Sequence, residues 1–286
     1  MKILVTGGAG FIGTNLIKQL IKDKHEVHSL DDYSVGTRGN EIKSKHVHYH
    51  SGDIENIGLM DGDFDVCFHL ASLSRIQPSF KNPTETIRVN TMGTNAVMDW
   101  AHDCGTRVIF ASSSSVHHEP TQSPYSTSKL MGEEIVKMYR KVYHIRADIV
   151  RFYNVYGPHE ITEGEMAAVI GRWRNQVKIG KAITIVGDGS QRRDFTHVDD
   201  VVDGLIRIMK FNMNSLNDAW ELGTGSNYSM NEVFNMFRKY HDCTCDYIPH
   251  QKGNYQKTIR ENNEALEILK WQPKDRLEEY IKNVKQ

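Results

Sequence analysis

The chain has 286 residues, enough for one large or two interleaved domains with a sizeable core. Its charge is balanced, Lys+Arg 35 against Asp+Glu 36, which argues against a nucleic-acid or membrane surface. No apolar run approaches the ~18 residues of a membrane span, and the sequence opens directly on a strand pattern, so a cytoplasmic chain with no signal peptide is expected.

Residues 2–6 form a short apolar run with β-branched members and read as a buried parallel strand. Gly7, Gly8 and Gly10 follow at once, then Phe11, Ile12 and Gly13, and a helical pattern through Leu16, Ile17, Leu20 and Ile21. A second strand, 26–30, ends on Asp31 and Asp32. Gly7 and Gly10 allow a tight turn and close approach of backbone to a pyrophosphate, Gly13 allows close helix–sheet packing, and the helix N-terminus offers free N–H groups to phosphate. A carboxylate at Asp31 can accept hydrogen bonds from both hydroxyls of an adenosine ribose and would repel a 2′-phosphate, so NAD is expected over NADP.

A polar loop, 33–40, follows and would lie over the adenosine. Residues 46–50 alternate and read as a third strand, closed by Gly52, Asp53 and Ile54; Asp53 suits either an adenine amino group or a helix cap. Residues 65–71 are a fourth buried strand, with Ala71 and Ser72 small enough for a cofactor to pass. A long helix is predicted over 83–105, ended by Gly105. Residues 107–111 are a fifth strand running into four serines, 112–115, at the sheet edge where open parallel sheets bind ligands. Tyr125 and Lys129 then share one face of a helix, where an ammonium ion near a phenol would favour the phenolate and bring it toward proton transfer near neutral pH.

Beyond Gly157 come a polar loop, a helix over 166–180, a strand over 182–186, a helix over 198–209 and a strand over 220–223. Ser229 and Glu232 are spaced as a capping box, and 266–284 reads as a small core cap. The stripes Val97/Trp100 and Ile135/Val136/Tyr139 suit either plain core burial or packing against a second copy. Cys67, Cys104, Cys243 and Cys245 lack zinc-knuckle spacing, and the His 14 include no His-x-x-x-His pair on a convincing helix, so reduced thiols and no metal are expected.

Taken together these motifs resemble the extended short-chain dehydrogenase/reductase superfamily, in its NAD-dependent nucleotide-sugar epimerase/dehydratase branch. The resemblance covers nearly the whole chain and rests on 6–13, Asp31, 52–54, 69–72, Asn90 within 89–94, the serines with Val116, Tyr125/Lys129, 151–158, and 187–195 with Val198, Asp199 and Asp200. It implies an α/β fold: a Rossmann doubly wound parallel sheet (1–157 and 196–225) with a smaller interleaved C-terminal substrate domain (158–195 and 226–286). It implies Ser113, Tyr125 and Lys129 as the catalytic set. NAD would be held by Gly7, Gly10, Phe11, Ile12, Gly13, Asp31, Asp32, Asp53, Ile54, Leu70, Ala71, Ser72, Asn90, Tyr125, Lys129 and Tyr153. Ser74, Ser113, Tyr125, Asn154 and Arg193 would meet a nucleotide-diphosphate sugar, with Arg193 on the diphosphate. The implied reaction is epimerisation at C4 of a UDP-sugar through a transient 4-keto sugar, in a homodimer. The alternatives are another oxidoreductase or decarboxylase of the same fold and an inactive NAD-binding scaffold.

Four departures from the family pattern bear on the substrate. The loop between Val116 and Tyr125 is short. Ser114 and Ser115 stand where dehydratases carry an acid pair, which argues against 4,6-dehydration. His117 and His118 replace a Tyr-Gly pair and could face either solvent or sugar. A late arginine of the diphosphate site is missing, and Lys252 is the candidate substitute.

Overall fold

The computed structural model describes residues 1–211 and 218–283. A strand forms at each of the first five predicted runs, β1 (Lys2–Thr6), β2 (Glu26–Asp31), β3 (Val47–Ser51), β4 (Val66–His69) and β5 (Arg107–Ser113), and a further strand that the sequence reading did not single out, β6 (Ala147–Phe152), follows. With the strand Trp220–Leu222 they make one seven-stranded sheet in the order Trp220–Leu222, β6, β5, β4, β1, β2, β3. Every pairing in it is parallel. This order reverses beside β1, and in a doubly wound sheet the crevice at that switch point is where a ligand binds.

Alternation along β1 divides the core. Ile3 and Val5 pack with Leu16, Ile17, Leu205 and Trp220 on one face, and Leu4 packs with Val97, Trp100, Phe110 and Val136 on the other. The stripes Val97/Trp100 and Val136/Tyr139 are thus buried within a single chain, so they are core rather than a contact between copies. A third cluster, with Trp173, Ile183, Ile185, Phe234 and Phe237, stands apart from the sheet. The C-terminal stretch serves two clusters: Leu269 and Trp271 join the sheet core, whereas Leu277 and Ile281 join the third. Val284 lies outside the described residues.

The long helix predicted over 83–105 forms, with right-handed helical backbone at both of its internal junctions and one wider turn in its middle. It runs as Pro83–Ile87, a π-helical turn Arg88–Met92, and Gly93–Cys104, closed by Gly105 at φ 69. The helix expected over 166–180 is shorter, Val169–Lys178. The Ser229/Glu232 capping box forms, with both reciprocal bonds present. Among the described residues no helix is long and apolar enough to cross a membrane.

Candidate active site

The glycine turn opens the site. Gly7 sits at φ +70, and a Cβ there would lie 2.9 Å from the backbone of Ala71. A Cβ on Gly13 would overlap the Gly7 carbonyl oxygen and come 2.7 Å from Gly8 Cα. Only glycine permits both the turn and the close helix. The helix Phe11–Lys22 that follows has no side-chain cap and no acid in its first turn. Its first amides are therefore free for an anion. At the tip of β2, Asp31 Oδ2 accepts from Ala9 N (2.9 Å) and Oδ1 from Tyr33 N (2.8 Å). Each oxygen keeps a lone pair for a ribose hydroxyl. Burial raises the Asp31 carboxyl above its ordinary range, against the pull of those two amides. These residues fit NAD: glycines where a Cβ would fill the cradle, an uncapped helix end for the pyrophosphate, and an acid at the ribose position.

From this turn a groove of about 480 Å³ runs along the C-terminal strand ends. Gly7, Gly10, Phe11, Ile12, Gly13, Asp31, Asp32, Asp53, Ile54, Leu70, Ala71 and Ser72 line one part, and Ser74, Ser113, Tyr125, Lys129, Asn154 and Arg193 the other. Asp53 lies at the wall and also caps a short helix, accepting from Glu55 N at 2.9 Å.

Ser113 ends β5, and the helix Pro124–Val142 brings up Tyr125 and Lys129. That helix starts where it does because Pro124 pre-sets the first turn and Ser123 caps it, accepting from Ser126 N at 3.1 Å. Burial raises the Tyr125 phenol, while a bond from Ser113 and the charge of Arg75 draw it back. The cation that lowers the phenol is Arg75. Lys129 is 4 % exposed and donates to Ala111 O at 2.9 Å. Burial pulls its ammonium down to about 7, with Glu133 opposing. Arg193 is also pulled down by burial, to about 10, and donates to Arg192 O. Asn154, at φ 30, is held by donating to Asp194 O at 2.8 Å and Thr258 Oγ1 at 3.1 Å.

A buried charge network lies beneath these groups. Glu133, one turn after Lys129, accepts from Ser112 Oγ at 2.6 Å and from Arg151 at 2.9 and 2.7 Å. Arg151 reaches on to Glu221 at 3.5 Å. Glu221 meets His117 Nε2 at 2.6 Å, the Tyr153 hydroxyl at 2.9 Å and the Glu261 amide at 2.6 Å. Burial alone would raise Glu221, yet His117 and the Glu261 amide bring it down to about 2.

Four expectations are corrected by these contacts. Tyr153 is fully buried with its hydroxyl on Glu221, so its side chain does not reach the groove. Asn90 is also turned inward: it accepts from Leu73 N at 2.8 Å and donates to Leu73 O and Ser128 Oγ, bracing the loop that lines the groove rather than lining it. His117 faces the network and His118 packs on Tyr255, 4.8 Å between rings, so neither lines the groove. Lys252 is exposed and off the lining; its neighbours Gln251 and Asn254 line the groove instead.

Tyr255 and Arg75 are among the lining residues that the sequence reading did not single out. Tyr255 bonds through its hydroxyl to Ser126 Oγ, and no local pattern marks it. Arg75 follows Ser74 directly, and a basic residue beside a small-residue strand end was the available signal. Its guanidinium donates to Met166 O at 2.8 Å and Ser74 O at 2.9 Å. Among the described residues no carboxylate forms an ion pair with it.

A family model described as the NAD dependent epimerase/dehydratase family matches residues 3–223. The chain is 32% identical over 304 residues, 99% of this chain and 96% of the other, to a Methanocaldococcus jannaschii protein named for UDP-glucose 4-epimerase activity. It is 27% identical over 299 residues, 97% of this chain and 70% of the other, to UDP-glucuronic acid decarboxylase 1 of Danio rerio. The structure of a UDP-glucuronic acid 4-epimerase from Bacillus cereus, in complex with UDP-glucuronic acid and NAD, superposes with a TM-score of 0.91 at 28% identity, covering 98% of this chain and 96% of that one.

Proposed function

The chain belongs to the NAD-dependent epimerase/dehydratase family, and from that premise we propose that it is a nucleotide-sugar 4-epimerase acting on a UDP-sugar. NAD is the cofactor of this family, and when bound it supplies reversible hydride transfer at the sugar carbon. The observation that carries the reading is that Tyr125, Ser113 and Arg75 line one groove, with the Ser113 bond and the Arg75 charge both lowering the Tyr125 phenol.

In this reading Tyr125 takes the proton of the 4-hydroxyl and later returns it, and Ser113 donates a hydrogen bond to that oxygen. Arg75 lowers the cost of the phenolate. Lys129, buried and near its neutral point, orients the nicotinamide ribose beneath the phenol. Asn154 meets the sugar phosphate, and Arg193 offers a planar fork to the diphosphate. The loop braced by Asn90 closes one wall and limits water at the reacting carbon. In this reading 1–157 with 196–225, to which Ala265, Leu269 and Trp271 add their side chains, holds NAD, and 158–195 with the rest of 226–286 closes over the sugar.

Arg75 favours a second reading, in which the sugar carries a carboxylate. A guanidinium without an ion-pair partner, beside the phenol that meets O4, lies within reach of a carboxylate on the neighbouring carbon, as in a hexuronic acid. The two readings separate in one experiment. The protein is incubated with UDP-glucose, UDP-glucuronic acid and their GDP and dTDP counterparts, products are read by NMR, and absorbance at 340 nm is followed for net NADH. Inversion at C4 with no net NADH is expected. Loss of carbon dioxide would replace epimerase by decarboxylase, and NAD binding without turnover of any sugar would leave a scaffold.

A further inference from the structure

The N-terminal halves of β2 and β3 carry a cluster that the groove does not use. Parallel register sets His28 directly against His48, with Glu26 two residues before His28 on the same face of β2. One ligand atom from each of Glu26, His28 and His48 lies within 4.8 Å of the other two. His50, on the same face of β3, shares a 3.0 Å hydrogen bond between its Nε2 and His28 Nδ1. On its other side His28 Nε2 meets Glu26 Oε1 at 3.1 Å. The ring of His28 rests edge-on against buried Phe64, 5.2 Å between centroids.

From this juxtaposition we infer that Glu26, His28 and His48 form a binding site for a borderline divalent cation of the zinc type. Two imidazoles and one carboxylate suit zinc, with water completing the coordination. Metal bonds of ~2.0–2.2 Å place tetrahedral ligand atoms roughly 3.4 Å apart, so closure asks roughly an ångström of movement from partly exposed side chains. Glu26 and His48 are exposed and free to make it, while His28 is held. On binding, neutral His28 changes tautomer: the Nε2 proton leaves to solvent as Nδ1 takes one up, so Nε2 offers its lone pair to the cation and Nδ1–H donates to His50 Nε2, whose own proton sits on Nδ1, with no net proton gained or lost. A ligand imidazole whose second nitrogen donates to a fixed acceptor is set in tautomer and ring orientation. The opposing charge is Lys2, whose Nζ sits 4.8 Å from the Phe64 ring centroid.

The cation would clip the first half of β2 to the edge strand β3. Asp31 lies at the other end of β2, so the clip stands apart from the groove residues proposed to act on the sugar. The test uses the full chain without added histidines. Zinc is titrated calorimetrically, and cobalt(II) is added to read its visible d–d bands. One saturable site per chain is expected, with a tetrahedral cobalt spectrum and a rise in Tm on adding zinc. His48→Gln should weaken binding at least tenfold, abolish the cobalt bands and the Tm rise, and leave turnover unchanged. Lys2→Gln should tighten binding. Absence of saturable binding, or equal affinity in wild type and His48→Gln, would overturn the site; neither result depends on the proposed epimerase activity.

Discussion

Tyr125 and Arg75 form the pair on which the chemistry turns. Replacing Tyr125 by Phe keeps the ring and its packing but removes the group that carries the proton. Turnover should fall by about 10²–10⁴ while NAD stays bound, read by product NMR and by cofactor content of the purified protein. Arg75→Gln separates the two substrate readings. If the sugar bears a carboxylate, KM for UDP-glucuronic acid should rise at least tenfold with UDP-glucose little changed; a neutral sugar predicts instead an acid limb of the pH–rate profile moved to higher pH for both, because the phenolate loses its cation. Asp31 acts on the cofactor alone. Asp31→Ala should weaken NAD and narrow the preference over NADP, measured by titration with each dinucleotide.

Among the elements, the helix Pro124–Val142 is fastened to both β5 and β6 by Glu133, which is 0% exposed. It takes Ser112 from β5 and Arg151 from β6, one turn beyond Lys129. Removing it leaves Arg151 without its closest carboxylate in a buried site. Glu133→Ala should therefore cost about 3–5 kcal/mol in urea unfolding. The π-helical turn Arg88–Met92 is a second such junction, holding Asn90 where it brackets Leu73. A regular helix through that point would rotate Asn90 off the loop that bears Ser74 and Arg75.

Two buried groups with large shifts contribute to the whole molecule's response to acid. Glu221 is held at about 2 in the fold against an ordinary 4.5, so its stabilisation is complete above pH 4.5 and fades as pH falls toward 2. His69, buried between Thr6 and Thr94, is held at about 3 against 6.5 by burial and by Lys129. The unfolded chain takes up that proton from pH 6.5 downward while the fold resists it until about 3, so stability present above pH 6.5 is lost as pH falls. The urea midpoint should decline below pH 6.5, and His69→Asn should flatten the part between 6.5 and 4.5, above the range of Glu221. A midpoint flat down to pH 4.5 in wild type would show that His69 does not carry this dependence.

What could be read from the chain alone was local. The turn Gly7–Gly13, the acid closing β2, the serines at the end of β5 and the Tyr125/Lys129 spacing are each set by a few neighbouring residues, because glycine sterics, strand alternation and helical period act over one or two turns. A doubly wound parallel sheet was implied by the family resemblance, while its seven-stranded order, β6 included, is set by the tertiary structure. Contacts between distant parts of the chain were not legible. His117 meets Glu221, and Arg75 comes to act by its charge on Tyr125, only after the sheet has brought them together, and the same folding turns Tyr153 and Asn90 inward and leaves Lys252 outside. The histidines of β2 and β3 follow the same rule. Alternation in 46–50 put His48 and His50 on one face, but their meeting with His28 depended on the register between two strands, and backbone hydrogen bonds that set register are formed by every residue alike.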